Sequence, residues 1–187
     1  MDFFDFVAPL YDRIFPIDRK DLCGLIEVPT GGWLLDIGGG TGRVSGLFSR
    51  KEGLIVVVDV SYRMLLQVRM KIGLHPVCAQ AENLPFKAEE FTRIIMVDTL
   101  HHIKDQERGL SEARRVLAEK GRLIIKEPDI DKPSVKVIAF LEKILLMQSR
   151  FLSKKQLDEI FNKLLFHTEF VSYGLFNCFL LQKLRWD

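Results

Sequence analysis

From Trp33 onward the chain alternates between short apolar runs and segments whose apolar residues recur at helical spacing. The runs Trp33–Ile37, Leu54–Asp59, His75–Ala79, Phe91–Asp98 and Gly121–Glu127 show little polar alternation. That is the pattern of strands covered on both faces of a parallel sheet. Between them, Gly42–Arg50, Ser61–Ile72 and Asp105–Ala118 read as helices, the last with Leu110, Ala113, Val116 and Leu117 at helical spacing. Alternation of this kind predicts an open, doubly wound sheet.

Two stretches lie outside that core. Residues 1–30 read as one or two short Phe-rich helices that end near Pro29-Thr30-Gly31-Gly32. Beyond Pro128 come two further helical patterns, Ser134–Met147 and Ser153–Leu165. The first is apolar nearly all round, so it is buried, forms a homodimer interface, or caps a site, with burial the default. The second has an apolar stripe at Leu157, Ile160, Phe161 and Leu164, and Ser153 with Gln156 fits a capping box. Strands at His167–Tyr173 and Phe176–Leu184 are close enough to form an antiparallel hairpin at the sheet edge.

Composition narrows the setting. The 187 residues suit one domain with one continuous core. A net charge of +2, with no block of five like charges, is not the footprint of a nucleic-acid binder. Cys23, Cys78 and Cys178 form no C-x-x-C pair, and their odd number argues against a disulfide framework. A reducing, cytoplasmic compartment is the simpler expectation. Acids at Asp2 and Asp5 stand where a signal peptide would be basic. The longest apolar stretch, Val135 to Met147, is interrupted by Glu142 and Lys143 and is too short for stable membrane insertion.

The chemistry gathers at Leu34-Leu35-Asp36-Ile37-Gly38-Gly39-Gly40-Thr41-Gly42, where a strand runs into a glycine-rich turn. Glycine lets the chain turn sharply and lets a ligand lie against the main chain. In an open parallel sheet that ligand sits beyond the carboxyl ends of the strands. The pattern is Asp-x-Gly-x-Gly-x-Gly over residues 36–42. It is not the dinucleotide fingerprint, since G-x-G-x-x-G from Gly38 places Arg43 last, and no Gly-Lys-Ser/Thr of a P-loop follows. Asp59 closes the next strand, where a carboxylate can accept two hydrogen bonds from a ribose diol.

Together these residues resemble a class I S-adenosylmethionine-dependent methyltransferase. They are most similar to the small-molecule branch that includes the ubiquinone/menaquinone-biosynthesis enzymes. Leu34–Gly42 resembles the first family motif and Asp59-Val60-Ser61-Tyr62-Arg63-Met64-Leu65 the second. Ala81-Glu82-Asn83-Leu84-Pro85-Phe86 is similar to the loop after the third strand, and Asp98-Thr99-Leu100-His101-His102-Ile103 to the end of the fourth. Arg115-Val116-Leu117 before Gly121-Arg122-Leu123 resembles the approach to strand five, and Phe6–Asp12 the branch's N-terminal segment.

The resemblance implies a three-layer α/β/α sandwich, Rossmann-like, with a mostly parallel seven-stranded sheet and an antiparallel last strand. It implies one domain: an N-terminal helical lid over 1–30, a cofactor-binding core over 31–127, and cap helices with a terminal hairpin over 128–187. The implied cofactor is S-adenosyl-L-methionine. Gly38 and Gly40 would lie against its methionine part, and a helix start at Thr41 would face its carboxylate. Asp59 would hold the ribose, with Val60, Ser61 and Met64 on the adenine side. Gln80, Ala81, Glu82, Asp98 and Thr99 complete the implied cofactor set, with Gln80 standing where the family often has Asp. Asp36 is expected to order the glycine turn.

Tyr11, His101 and Glu127 are candidate substrate contacts, and His102 a pocket wall or general base. Neighbouring histidines just past a strand are expected to point apart, so no metal site is expected there. Glu127 either touches substrate or ends its strand. The activity implied is in-line transfer of a methyl group to a small-molecule acceptor. A non-catalytic protein that binds the same cofactor stays open. A dinucleotide-dependent oxidoreductase is disfavoured by the missing third glycine.

Overall fold

In a computed structural model the chain is described at Asp12 and over residues 32–48, 53–144 and 149–184. The expected strands form almost where the apolar runs lie. They are β1 (Trp33–Ile37), β2 (Leu54–Asp59), β3 (Leu74–Cys78), β4 (Phe91–Val97) and β5 (Leu117–Pro128), followed by β6 (Phe166–Tyr173) and β7 (Phe176–Lys183). The helices are α1 (Tyr62–Val68), α2 (Gln106–Val116), α3 (Pro133–Ile144) and α4 (Lys154–Lys163). The sheet order is β3-β2-β1-β4-β5-β7-β6. Strands β1 to β5 are mutually parallel, and β7 inserts antiparallel between β5 and β6. The last strand thus breaks the parallel run, and the hairpin it forms supplies the sheet edge through β6.

Strand periodicity divides the core into two layers. Leu35, Ile37, Val56, Val58, Ile94, Met96, Leu123 and Ile125 face one side, against Leu110, Ala113 and Val116 of α2 and Leu157 and Phe161 of α4. Leu34, Ile55, Val57, Ile95, Val97 and Ile124 face the other, against Phe48 and against Leu65 and Val68 of α1. Both sets are buried, which is why the runs carry no polar alternation.

Caps fix the helix starts. Ser61 accepts from Met64 N, Asp105 accepts from Arg108 N, and Ser153 with Gln156 forms the full capping box. Three expectations change. The helix foreseen at Gly42–Arg50 is, among the described residues, a single 3-10 turn at Ser45–Leu47. Gly42 adopts φ +71°, which an α-helix does not contain. Strand β5 begins at Leu117 rather than Gly121, because the chain becomes extended at once and Leu117 pairs with Phe91. The third concerns α3: Val135 is buried, but Val137 and Phe140 are exposed, so burial covers only part of that apolar helix. Its expected extension to Met147 lies outside the described residues, as do Arg50 and, Asp12 apart, residues 1–30.

The hairpin is held by Phe179 of β7, whose ring meets Phe161 of α4 edge-on at 5.2 Å, both fully buried. Phe161→Ala should destabilise the fold by about 3–5 kcal/mol, through lost transfer energy and a residual cavity. Urea unfolding measures this; a loss under 1 kcal/mol would mean the hairpin stands without α4.

Candidate active site

The sheet order reverses direction between β1 and β4, and a crevice opens there beyond the strand ends. It is a cleft of about 350 Å³, within the usual range for a small-molecule site. Gly38, Gly40, Asp59, Val60, Ser61, Met64, Gln80, Ala81, Glu82, Asp98, Thr99 and His102 line it. Twelve of the foreseen residues therefore meet in one cavity. Val58, Ala79, Ile103 and Lys104 line it too and were not foreseen. Their apolar or surface character carries no signal in a linear sequence.

The glycine turn is built by main-chain hydrogen bonds. Gly38 N and Gly39 N both donate to the Val58 carbonyl, at 2.8 and 3.1 Å. Gly40 N donates to Asp59 Oδ2 and Ser61 N to Asp59 Oδ1, each at 2.8 Å. The Asp59 carboxylate is thereby fixed at the cleft wall. Gly38 has φ +67°, and a Cβ there would fall 1.8 Å from the Thr99 hydroxyl, which itself donates to Gly38 O. Only glycine fits.

Asp36 does not line the cleft. It is buried beneath the turn, where the Ser45 hydroxyl donates to it at 2.5 Å, and burial pushes its carboxyl up to about 7. Thr41 does not begin a helix, so no helix start faces the cleft there. Its hydroxyl donates to Asp12, whose other oxygen pairs with Lys71 at 2.8 Å. Asp12 thus touches the rim of the glycine turn. Tyr11 lies outside the described residues.

The loop after β3 is set from α2. Arg115 donates to the carbonyls of Leu84 and Phe86 at 3.0 and 2.8 Å, and Glu112 accepts from Leu84 N at 2.9 Å. Two motifs whose bonded residues lie 31 apart in the chain are therefore one structural unit.

At the end of β4, Asp98 adopts φ 52°, strained for a residue with a Cβ. Burial, and then the Glu127 charge, hold its carboxyl above the ordinary value; the Arg43 guanidinium, 3.4 Å away, opposes this. Its Oδ1 is buried without a hydrogen-bond partner in the protein.

Glu127 and His101 do not line the cleft. Glu127 Oε1 accepts from Thr99 N and Leu100 N at 2.9 and 2.7 Å, and Oε2 meets His101 Nδ1 at 2.5 Å. Both side chains are buried, and Glu127 is consumed in shaping the loop after β4. Burial alone would lower the His101 imidazole, but the Glu127 carboxylate outweighs it and holds it above the ordinary value. His102, in the cleft wall, is pushed down to about 3 by burial and by the neighbouring His101 charge. It stands as a neutral ring, a wall rather than a strong base. The two rings do not point apart as expected: the tight turn brings their centroids to 4.0 Å, and Glu142 of α3 joins them.

Residues 35–125 match the methyltransferase domain family. The chain is 34% identical over 158 residues to the demethylmenaquinone methyltransferase of Thermotoga maritima, covering 76% of this chain and 69% of that enzyme. It is 32% identical to an uncharacterized protein of Methanocaldococcus jannaschii over 88% of this chain and 80% of that protein. With the ubiquinone/menaquinone biosynthesis C-methyltransferase of Vibrio parahaemolyticus the match spans 50% of this chain but only 40% of that enzyme. A solved S-adenosylmethionine-dependent methyltransferase of Thermotoga maritima, described as a possible histamine N-methyltransferase, superposes with TM-score 0.78 at 27% identity. It covers 96% of this chain and 98% of its own. The fold and the cleft define a class I methyltransferase, and the chain belongs to the S-adenosylmethionine-dependent methyltransferase family. Within that family it resembles the menaquinone and ubiquinone enzymes.

The residues present fit the cofactor. Asp59 and Asp98 put two acidic side chains on the cleft wall, as a cofactor carrying a ribose diol and an ammonium group would need. Asp59→Ala should weaken S-adenosylhomocysteine binding by about 2–4 kcal/mol, roughly 30- to 1,000-fold. Calorimetry reads this, and a change below about threefold would place the ribose elsewhere. A second expectation follows from Asp36. Its folded value is raised to about 7 from 3.8, so the folded state keeps a proton that the unfolded state has released between those values. That difference costs stability progressively as pH rises from about 4 to 7, by up to about 4 kcal/mol. Asp36→Asn should gain stability relative to the parent over that window. A pH-independent difference in urea melts would show that Asp36 is ionised in the fold.

Proposed function

We propose that this enzyme transfers the methyl group of S-adenosylmethionine to a small-molecule acceptor by direct in-line displacement. The observation that carries the reading is the partition of the cleft. Carboxylates at Asp59 and Asp98 mark a cofactor side, and His102, Ile103 and Lys104, with no carboxylate among them, mark the side left for an acceptor. The relatives named for quinone and for histamine methylation support a small acceptor.

The bound cofactor supplies an electrophilic sulfonium methyl carbon. What the chain must do is hold an acceptor in line with it and exclude water. Asp98, strained and pinned through Glu127's hold on the adjoining loop, would orient the amino end of the methionine part. Asp59 would orient the ribose. His102, being neutral, would border the acceptor without competing for its proton. No covalent intermediate on the enzyme is required.

Purified protein incubated with S-adenosylmethionine and metabolite pools should yield a methylated product, read by mass. Bound cofactor with no product from any pool, and no turnover on isolated quinols or amines, would sink the reading.

We also propose that the Phe-rich residues 1–20 close over cofactor and acceptor as a lid. The contact of Asp12 with Thr41 and Lys71 supports this, because that one residue meets the glycine turn. Amides of this segment should exchange quickly in free protein and gain protection when S-adenosylhomocysteine is added. Equal, strong protection in both states would make the segment fixed scaffold.

A further inference from the structure

His101, His102 and Glu142 converge beside the cleft although neither the fold nor the cofactor site needs them together. Their ligand atoms lie within 4.8 Å of one another. The first two stand on the 3-10 turn Leu100–His102, and the third reaches over from α3, 40 residues away in sequence. We propose that these three side chains form a binding site for one divalent transition-metal ion of the zinc or ferrous type.

Four observations carry the assignment. First, the donor set is two imidazoles and one carboxylate. That set binds Zn²⁺ in open catalytic sites and Fe²⁺ in facial triads, and it leaves coordination positions for a further ligand. Second, each imidazole is oriented at its Nδ1. His101 Nδ1 meets Glu127 Oε2 at 2.5 Å, and His102 Nδ1 meets the Ser149 hydroxyl at 3.1 Å. Those contacts fix the orientation of both rings, and a carboxylate behind a histidine is the usual outer support of a metal-bound imidazole. Third, His101 is further clamped by stacking on Phe151, centroids 4.4 Å apart, and the segment that carries Phe151 is tied to the turn by Arg150 N donating to His101 O at 2.7 Å. Fourth, Glu142 Oε2 is buried with no hydrogen-bond partner in the protein. A buried carboxylate oxygen without a donor is costly, and a cation satisfies it.

The spacing is compatible. Neighbouring ligand atoms about 2.1 Å from one ion lie roughly 3.0–3.4 Å apart, so from within 4.8 Å the three side chains close in on a bound ion. His102 belongs to both the triad and the cleft wall, so the ion would sit at the acceptor side of the cleft. There its open positions could hold an oxygen or nitrogen of the acceptor in register with the methyl donor. The metal would position and would undergo no redox step.

Titration of chelator-treated full-length protein with Co²⁺, followed by visible ligand-field absorption and by calorimetry, tests the site. One Co²⁺ per chain, displaced by Zn²⁺, is expected. Glu142→Gln should weaken binding at least tenfold, and Glu127→Gln, which takes the charge from behind His101 as well as from the loop after β4, by about 10- to 100-fold. S-adenosylhomocysteine binding measured on the same samples reports that each variant is folded, and it tests the cofactor reading separately. Should Glu142→Gln fail to fold, His102→Gln replaces it with the same expectation. Absence of Co²⁺ uptake, or uptake unchanged in the folded variant, would overturn the proposal. So would displacement of Co²⁺ by simple organic ammonium ions but not by Zn²⁺, which would assign the pocket to an amine.

Discussion

The Asp59 carboxylate joins two strand ends that the rest of the cleft is built around. One oxygen accepts from Gly40 N at the turn after β1, and the other accepts from Ser61 N at the start of α1. Val58, the residue before it, takes the amides of Gly38 and Gly39 on its carbonyl. Three backbone donors of the glycine turn and one at the start of α1 are thus satisfied from the end of β2, as buried backbone requires. The same carboxylate faces the cleft. The group that braces the turn therefore also lines the cleft, and the turn cannot relax without moving the cleft wall.

Glu127 does for β4 what Asp59 does for β1. Its position at the end of β5 lets it accept amides from Thr99 and Leu100 and grip His101, so the loop after β4 is drawn toward the neighbouring strand. That pull accompanies the left-handed backbone at Asp98, one residue earlier. The strain is local and sits where the cleft needs a carboxylate at a defined angle. Acidic residues at three strand ends thus serve different purposes. Asp36 is buried and raised toward neutrality, Asp59 is exposed to ligand and hydrogen-bonded, and Glu127 is spent on backbone.

The reading of the sheet from apolar runs succeeded because both faces of its central strands are covered. Burial on two sides leaves no room for polar residues, and so it is written continuously along Trp33–Ile37, Leu54–Asp59 and Phe91–Val97. Caps were readable for a related reason: Ser153 and Gln156 satisfy each other within one turn, an interaction local in sequence. The glycine turn was equally plain, since positive φ at Gly38 and Gly40 leaves few alternatives.

What escaped the linear text was every relation between distant side chains with ordinary local surroundings. Asp36, Asp59 and Glu127 look alike as strand-end acids, and only the folded contacts give them separate fates. His101 and His102 look as though they should diverge, yet a 3-10 turn sets their rings 4.0 Å apart, and Glu142 arrives from a helix whose apolar pattern hid it. Local periodicity and glycine placement suffice to decide strands, caps and the cofactor turn, because those depend on neighbours along the chain. Which carboxylate meets ligand, which meets backbone, and which meets a pair of imidazoles depends on the packing of segments far apart in sequence, and only tertiary contact decides it.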